Sequence, residues 1–319
     1  MGAESAPTLV IYNPTAGNGR ARKFWPSVEN ALNELGLNFR VAITRAPFHA
    51  RELAEHAINE FSQIISVGGD GTVHEIVNGL MLASQEQETI PLGIIPLGKG
   101  DDFAKMIPPE TPIGNQPFNW QTAIEKIQAG KTALFDVGRI EGDNLRPEYG
   151  SGEYYFINSF DVGFGAHGAQ NLTTIPSYFQ GLSAYLATIV KTMVNYPTLN
   201  LRLQIDGREP FEQSTTITAI MNGRCMGNSF WFCPQAFADD GLFDVLVSDK
   251  VGRLSILRLL PKLMKGTHTD EPVVHMHRAR KVVIESREPI IVETDGEIPF
   301  LESRRLELSV LHKRLRVII

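Results

Sequence analysis

Three times in its first hundred residues the chain runs a short apolar stretch straight into a glycine-rich polar loop. "TLVIYN" leads into "NPTAGNGR", "QIISV" into "GGDGT", and "IPLGIIP" into "LGKGDD". Between them lie the amphipathic runs "ARKFWPSVENALNELG", "ARELAEHAINEF" and "GTVHEIVNGLMLA", and one further apolar run, "NFRVAIT". Apolar strands separated by helix-length segments predict a parallel sheet covered on both faces. Each return to a parallel strand needs a crossover, and the crossover helix lies on the sheet. The polar loops then follow the carboxyl ends of the strands, where open α/β sheets bind ligands. Three such loops at one edge are expected to share one site.

The loop chemistry narrows that site. In "VGGDGTVHEIVNGL", Gly68, Gly69 and Gly71 surround Asp70 just before a helical run. Backbone that must approach something closely favours glycine, and a helix N-terminus offers N–H groups and a positive dipole end to phosphate. The expectation is a phosphate cradle with a carboxylate set in it; the plain alternative is a tight strand-to-helix turn without a ligand. The companion loop adds side-chain donors from Asn13, Thr15 and Asn18, backbone access at Gly17 and Gly19, and the cation of Arg20. Neither loop has the Walker A spacing GxxxxGK[ST] or the GxGxxG dinucleotide pattern.

From about residue 133 the texture changes. "ALFDVGRI", "EYYFINSFDVGF", "LNLRLQID", "STTITAIMNG", "GLFDVLVSD", "KVVIES", "IIVETDG" and "RRLELSVL" are short, β-branched and divided by turn residues. They predict a mostly antiparallel β-sandwich domain, interrupted by helices over "SYFQGLSAYLATIVKTMVN" and "GRLSILRLLPKLMKG". The fold class is therefore α/β, with a parallel N-terminal nucleotide-type domain over 1–132 and a β-rich domain over 133–319. The stretch 108–117, "PPETPIGNQP", is the most linker-like, and the tail "LRVII" is free to return to either domain.

At 319 residues the chain is long enough for two ordinary domains. Its net charge of −6 argues against a general nucleic-acid binder. Cys225 and Cys233 stand outside any CxxC pair and read as two buried thiols, which favours a reducing compartment. No uncharged apolar run is long enough to span a bilayer, and the first residues lack a signal-peptide pattern. A cytoplasmic protein is expected.

Read together, "NPTAG", "GGDGTVHEIVNGL", "PLGKGDDFAK", "NGRCMGNSFWFCPQAFADDGLFDV" and "ETDGE" resemble, in order, the diacylglycerol kinase catalytic domain family, which includes bacterial lipid kinases, sphingosine kinases and ceramide kinases. The resemblance spans nearly the whole chain. It implies an α/β nucleotide domain followed by a β-sandwich, ATP and Mg²⁺ as cofactors, and phosphorylation of a lipid hydroxyl. By the family's motifs, Asn13, Pro14, Thr15, Ala16, Gly17, Thr44 and Gly68, Gly69, Asp70, Gly71, Thr72, Val73, His74 fall where ATP binds. Asp70, Asp102 and Asp136 match carboxylates of the catalytic Mg²⁺ network, and Glu297 matches the general base. Asp240, with the carbonyls of Phe237 and Leu242, matches a structural Mg²⁺ site. Hard oxygen ligands suit Mg²⁺, and a hydroxyl nucleophile needs a base within reach. Taken alone, Glu297 beside Gly296 reads as a turn carboxylate and Asp240-Gly241 as a hairpin pair. Asp136 inside a β-like run requires a partner wherever it is buried.

One loop departs from the family. Gly98-Lys99-Gly100-Asp101-Asp102-Phe103 stands where the family has G-T-G-N-D-F, so a lysine replaces a threonine and a carboxylate an asparagine. Lys99 is placed to pair with a phosphate, or with Asp101 or Asp102.

The window 252–281 gathers Arg253, Arg258, Lys262, Lys265, Arg278, Arg280 and Lys281 against Asp270 and Glu271, with Leu254, Ile256, Leu257, Leu260, Leu263 and Met264 interspersed. A basic amphipathic segment of this kind lies on an anionic membrane surface, or else it packs its apolar side on a core; both readings stand. Pro261 is expected to break or start a helix there. The expected partners are a lipid substrate and, transiently, a membrane surface, with a homodimer allowed and no nucleic acid. Two rival readings are an NAD kinase, which shares "GGDGT" but carries a downstream Asn-Glu motif that is missing here, and a catalytically silent nucleotide- or lipid-binding protein.

Overall fold

Apolar strands alternate with amphipathic helices from the start of the chain: β1 (Thr8–Tyr12), α1 (Arg20–Glu34), β2 (Phe39–Ile43), α2 (His49–Ala57), β3 (Gln63–Gly68), α3 (Asp70–Ser84) and β4 (Leu92–Pro96). α4 (Trp120–Ala129) and β5 (Thr132–Gly142) follow. The computed structural model describes residues 6–85, 87–107, 119–150, 152–176, 182–194, 196, 198–227 and 230–319. The linker-like stretch 108–117 and both ends of the helix read over 177–195 lie outside the described residues.

The chain divides into two compact units, Met1–Val137 with His312–Ile319, and Gly138–Leu311. In the first unit the strand order is β2-β1-β3-β4, all parallel, with Val10 opposite both Val41 and Ile65, and Ile65 opposite Gly93. Alternate residues point to opposite faces. Val10, Tyr12, Ile65, Val67, Ile95 and Leu97 pack in one buried cluster with Ala21, Val28 and Leu32 of α1 and Ala123 and Ile127 of α4. Tyr12 stacks on Trp25, ring centroids 4.3 Å apart. Leu32 is fully enclosed, so Leu32→Ala is expected to cost about 2–5 kcal/mol. Helices α2 and α3 pack on each other and against β1 and β3. Glu75 joins them, its two oxygens accepting the N–H groups of Phe48 (2.9 Å) and Ala50 (3.0 Å) at the start of α2. The tail returns to this unit: Val317 lies parallel to Leu92, and the Ile319 N–H donates to Lys131 O at 2.9 Å.

The second unit is built from β6 (Tyr154–Phe156), β7 (Ser159–Gly163), α5 (Phe164–Leu172), α6 (Leu182–Val194), β8 (Leu199–Ile205), β9 (Phe211–Thr215), β10 (Ile217–Met221), β11 (Phe243–Ser248), α7 (Arg253–Lys265), β12 (Val274–Ala279), β13 (Lys281–Thr294) and β14 (Glu297–Ile318). Antiparallel pairing runs β12-β11-β10-β7-β13-β14, while the first half of β13 also pairs with β8, and β8 with β9. The length of β13 and β14 lets two ladders share them. Phe156, Phe160 and Phe243 form an aromatic core, with Phe156 and Phe243 stacked at 5.4 Å. Cys225 and Cys233 are buried free thiols. The helix α7 runs continuously through Pro261, in place of the break or start expected there; only the one N–H that would bond Leu257 is lost.

Candidate active site

The polar loops that follow β1, β3 and β4 interlock within the first unit. The Asn13 N–H donates to Val67 O (2.9 Å), and its side-chain amide donates to Thr72 Oγ1 (3.0 Å). Asn13 Oδ1 accepts from the backbone and hydroxyl of Thr15 at 3.0 and 2.8 Å. Leu97 N–H donates to Gly68 O at 2.7 Å, and Arg20 Nη1 to Gly98 O at 3.2 Å. Glycine is required at the contact. Gly17 has φ +59°, and a Cβ there would stand 2.3 Å from Leu97 O. A Cβ on Gly98 would stand 2.6 Å from the Cα of Gly69. Thr44 joins the same edge, its N–H bonded to Tyr12 O at 2.9 Å. Pro14 and Ala16 lie in the first loop, and Ala16 N–H returns to Asn13 O.

Asp70 opens α3 at the centre of this junction, with Gly69 and Gly71 on either side. Its Oδ1 accepts the Phe103 N–H at 3.2 Å, and a Cβ on Gly100 would stand 2.9 Å from its Oδ2. Burial, and then the neighbouring charges of Asp102 and Asp101, push the Asp70 carboxyl up to about 7. Asp102 pairs with Lys105 Nζ at 2.7 Å. Asp101 sits at φ +52°, and its Oδ1 accepts the Gly98 N–H at 2.9 Å. Burial raises the Asp101 carboxyl, opposed by the Gly98 bond and by Arg20 and Lys105. Lys99 is exposed on this loop, and among the described residues it bonds neither carboxylate; Arg20 and Lys105 supply the cations. Thr72, Val73 and His74 are buried in α3, and His74 is engaged by Asn78. The Val73 N–H donates to Gly69 O at 3.1 Å in the first turn of that helix.

Asp136 is bound to the returning tail. Its carboxylate is fully enclosed, with Oδ1 accepting from His312 Nδ1 at 2.8 Å and from the Lys313 N–H at 2.7 Å. The buried acid therefore holds the returning tail.

In the second unit, Thr294 pairs with Glu297 across the two-residue turn Asp295-Gly296, whose φ values are +50° and +91°. Both residues in the left-handed region is the requirement of a type I′ hairpin. Glu297 Oε2 accepts from the Tyr149 hydroxyl at 2.9 Å. Burial first, and Glu297 next, raise the Tyr149 hydroxyl, which therefore stays a donor. Asp295, which lies outside the site residues expected from the sequence, accepts the N–H groups of Ile157 (2.9 Å), Asn158 (3.0 Å) and Ser159 (2.9 Å). Its acid-then-glycine spelling is an ordinary turn signal, and nothing in it announces three bonds to a segment more than a hundred residues away.

The residues assigned to a structural metal are less free than expected. Asp240 Oδ1 accepts the Leu242 N–H at 3.0 Å, and Oδ2 is paired with Arg278. Phe237 is exposed, and its ring lies under the Arg224 guanidinium at 5.3 Å. Asp244 stands behind this turn, raised to about 6 by burial, with Arg278 opposing and Asp240 reinforcing. Among the described residues, no three His, Cys, Asp or Glu side chains converge as ready-made metal ligands.

Residues 7–140 match the diacylglycerol kinase catalytic domain, and residues 159–318 match the YegS C-terminal NAD kinase beta sandwich-like domain. The chain is 26% identical over 292 residues to a diacylglycerol kinase of Bacillus subtilis, covering 90% of this chain and 88% of that one. It is 28% identical over 318 residues to a diacylglycerol kinase of Mycobacterium tuberculosis, covering 99% and 96%. A solved diacylglycerol kinase structure from Bacillus anthracis superimposes with a TM-score of 0.67 at 22% identity, over 99% of this chain and 97% of that one. A second Bacillus anthracis structure gives a TM-score of 0.79 at 23% identity, over 100% and 96%.

Proposed function

The chain belongs to the diacylglycerol kinase catalytic domain family, and on that footing we propose that it transfers the γ-phosphate of ATP to the hydroxyl of a membrane-resident lipid, with Mg²⁺. The observation that carries this reading is the junction of three loops around Asp70. Glycine contacts there leave backbone able to approach phosphate, and the N-terminus of α3 adds its positive end. The exposed Lys99 ammonium is a point charge suited to a phosphate oxygen.

The donor set fits Mg²⁺. Asp70 and Asp102 are hard oxygen donors whose mutual repulsion a cation would relieve. Mg²⁺ commonly takes one or two carboxylates together with waters and substrate phosphates, so two protein ligands suffice. When bound, it would neutralise charge developing on the transferred phosphoryl group. Glu297 is the assigned base for the acceptor hydroxyl, with Tyr149 fixing its orientation from behind.

A lipid acceptor calls for contact with a bilayer surface. In support, α7 exposes Leu254 (83%) and Leu257 beside Arg253 and Arg258. Its other side, Leu260, Leu263 and Met264, packs on the core, and Lys262 is paired with Glu271. A basic and apolar outer face is suited to an anionic lipid surface. No helix among the described residues is long and apolar enough to cross a membrane.

The test is transfer from labelled ATP, with and without Mg²⁺, to diacylglycerol, sphingoid base, ceramide, polyprenol and NAD, the lipids in mixed micelles. A phosphorylated lipid supports the proposal and identifies the acceptor. Phosphorylated NAD with no lipid product overturns it, as does ATP binding without transfer to any acceptor.

A further inference from the structure

Two fully buried acids face each other behind the hairpin that carries Glu297. Asp161 on β7 and Glu293 on β13 are directly opposite in the antiparallel register, 0% and 4% exposed. Opposed like charges destabilise a sheet, and two ionised carboxylates out of water are costlier still. Each acid spends one oxygen on a backbone N–H. Asp161 Oδ1 accepts from Ala166 in the first turn of α5 at 2.7 Å, and Glu293 Oε1 accepts from Gly296 in the turn before Glu297 at 2.5 Å. The other two oxygens, Asp161 Oδ2 and Glu293 Oε2, are buried, and among the described residues no N–H or hydroxyl reaches them. Gly165 leaves the room for this, since a Cβ there would stand 2.3 Å from Asp161 Oδ1.

Two acceptors facing each other without a donor are resolved by one proton. We propose that Asp161 and Glu293 share a single proton between Oδ2 and Oε2, and that this acid pair is the positioning element that fixes the Asp295-Gly296 turn and with it Glu297. The pair works through backbone: its Oε1 holds the Gly296 N–H, while Asp295 holds residues 157–159 from the other side. Burial, then Asp161, then Asp295 push the Glu293 carboxyl upward, so it is the proton's natural home. Asp295 is the other charged group acting on the pair, and it drives in the same direction. His167 on α5 is turned to Gly163 O, and Glu297 and Tyr149 are bonded to each other. Removing the shared proton at high pH would leave two buried anions and loosen the turn.

This inference rests on the reading of Glu297 as the base, so its test has a part independent of turnover. Glu293→Gln keeps an acceptor for Gly296 and gives Asp161 a donor; Asp161→Asn keeps an acceptor for Ala166 and gives Glu293 one. Either single variant should retain wild-type melting temperature at neutral pH. The double variant sets two NH₂ groups face to face and should melt well below the sum of the singles. A protonated carboxylic acid band in the difference between the wild-type and Glu293→Gln infrared spectra, from which the common contributions of Asp70 and Asp244 cancel, reads the proton itself. For positioning, wild type should lose kcat at alkaline pH with KM for ATP unchanged, and Glu293→Gln should flatten that limb. The double variant should lose about tenfold to a hundredfold in kcat. Additive melting shifts, or no carboxylic acid band, overturn the shared proton. A proton present with kcat indifferent to the double variant overturns the positioning role. If Glu297→Gln itself keeps full turnover, the assignment of the base fails, while the band and the melting cycle still report on the pair.

Discussion

The carboxylate of Asp101 closes its own loop by accepting the Gly98 N–H at 2.9 Å, from a backbone held at φ +52°. Asparagine tolerates that conformation and offers the same acceptor. Asp101→Asn should therefore melt as wild type does. Asp101→Ala leaves the N–H without its partner and places alanine in a strained conformation, at a cost of about 2–4 kcal/mol in unfolding. Because the Lys99 side chain does not bond Asp101, a double-mutant cycle of Lys99→Thr and Asp101→Asn on the ATP dissociation constant should be additive to within about 0.5 kcal/mol. A larger coupling would show that the two side chains work as a pair when nucleotide is bound.

Asp70 should make stability depend on pH. Its carboxyl ionises at about 7 in the folded chain, raised by burial and by Asp102 and Asp101, whereas an unfolded aspartate ionises at about 4. Between these values the folded state holds the extra proton, so stability falls as pH rises from about 4 to about 7 and levels off above. Asp70→Asn should flatten the melting temperature across that window and melt higher than wild type at pH 8, while abolishing turnover. Mg²⁺ with ATP should raise the wild-type melting temperature at pH 8 and leave the variant unmoved. Equal slopes in the two proteins would show that Asp70 is not the titrating group.

The parallel half of the chain was legible because "TLVIY", "QIISV" and "LGIIP" are unbroken apolar runs and their glycine loops mark the strand ends. The edge strands β9 and β12 were not, since "FEQST" and "VHMHRA" carry polar or half-exposed residues on both faces. Helix α5 was hidden by Gly165 and Gly168 and by the strand run that enters it. β13 read as two strands because "SREP" interrupts its pattern; the structure absorbs the interruption as register shifts between Glu285 and Ile290. Asp161 and Glu293 each looked like a polar position in a strand, and only the pairing of strands 132 positions apart sets them opposite. Local patterns report local structure, and a site made by long-range pairing leaves little trace in them.

Arg278 occupies the carboxylate that would hold a structural cation at the "ADDGLFD" turn, so the charge of Asp240 is already answered. The Mg²⁺-dependent rise in melting temperature should then survive Asp240→Ala, since it would arise at Asp70 and Asp102. Arg278→Gln should enlarge it, because Asp240 and the buried Asp244 would be left facing each other without a cation. Thermal melts of the three proteins over a Mg²⁺ titration decide the matter. Loss of the Mg²⁺ effect in Asp240→Ala would show that the turn binds the metal and that Arg278 gives way to it.

Asp136 separates a catalytic from a structural reading of a buried acid. Fully enclosed, it holds His312 and the Lys313 N–H, and so pins the segment whose Val317 extends the parallel sheet beside Leu92. Asp136→Asn keeps an oxygen for the Lys313 N–H and so should lose about 1–2 kcal/mol, mostly the charge-assisted part of the His312 bond. Asp136→Ala leaves both donors unanswered inside the protein, and a loss of about 3–5 kcal/mol is expected. His312→Gln should resemble Asp136→Asn in stability, because the side chain is half exposed and Lys313 still reaches the carboxylate. If Asp136 serves the tail, turnover per folded molecule in Asp136→Asn and His312→Gln should stay near wild type. If Asp136→Asn is folded and inactive while His312→Gln is active, the carboxylate belongs to the metal network after all, and its charge acts on the reaction over and above its hold on the chain.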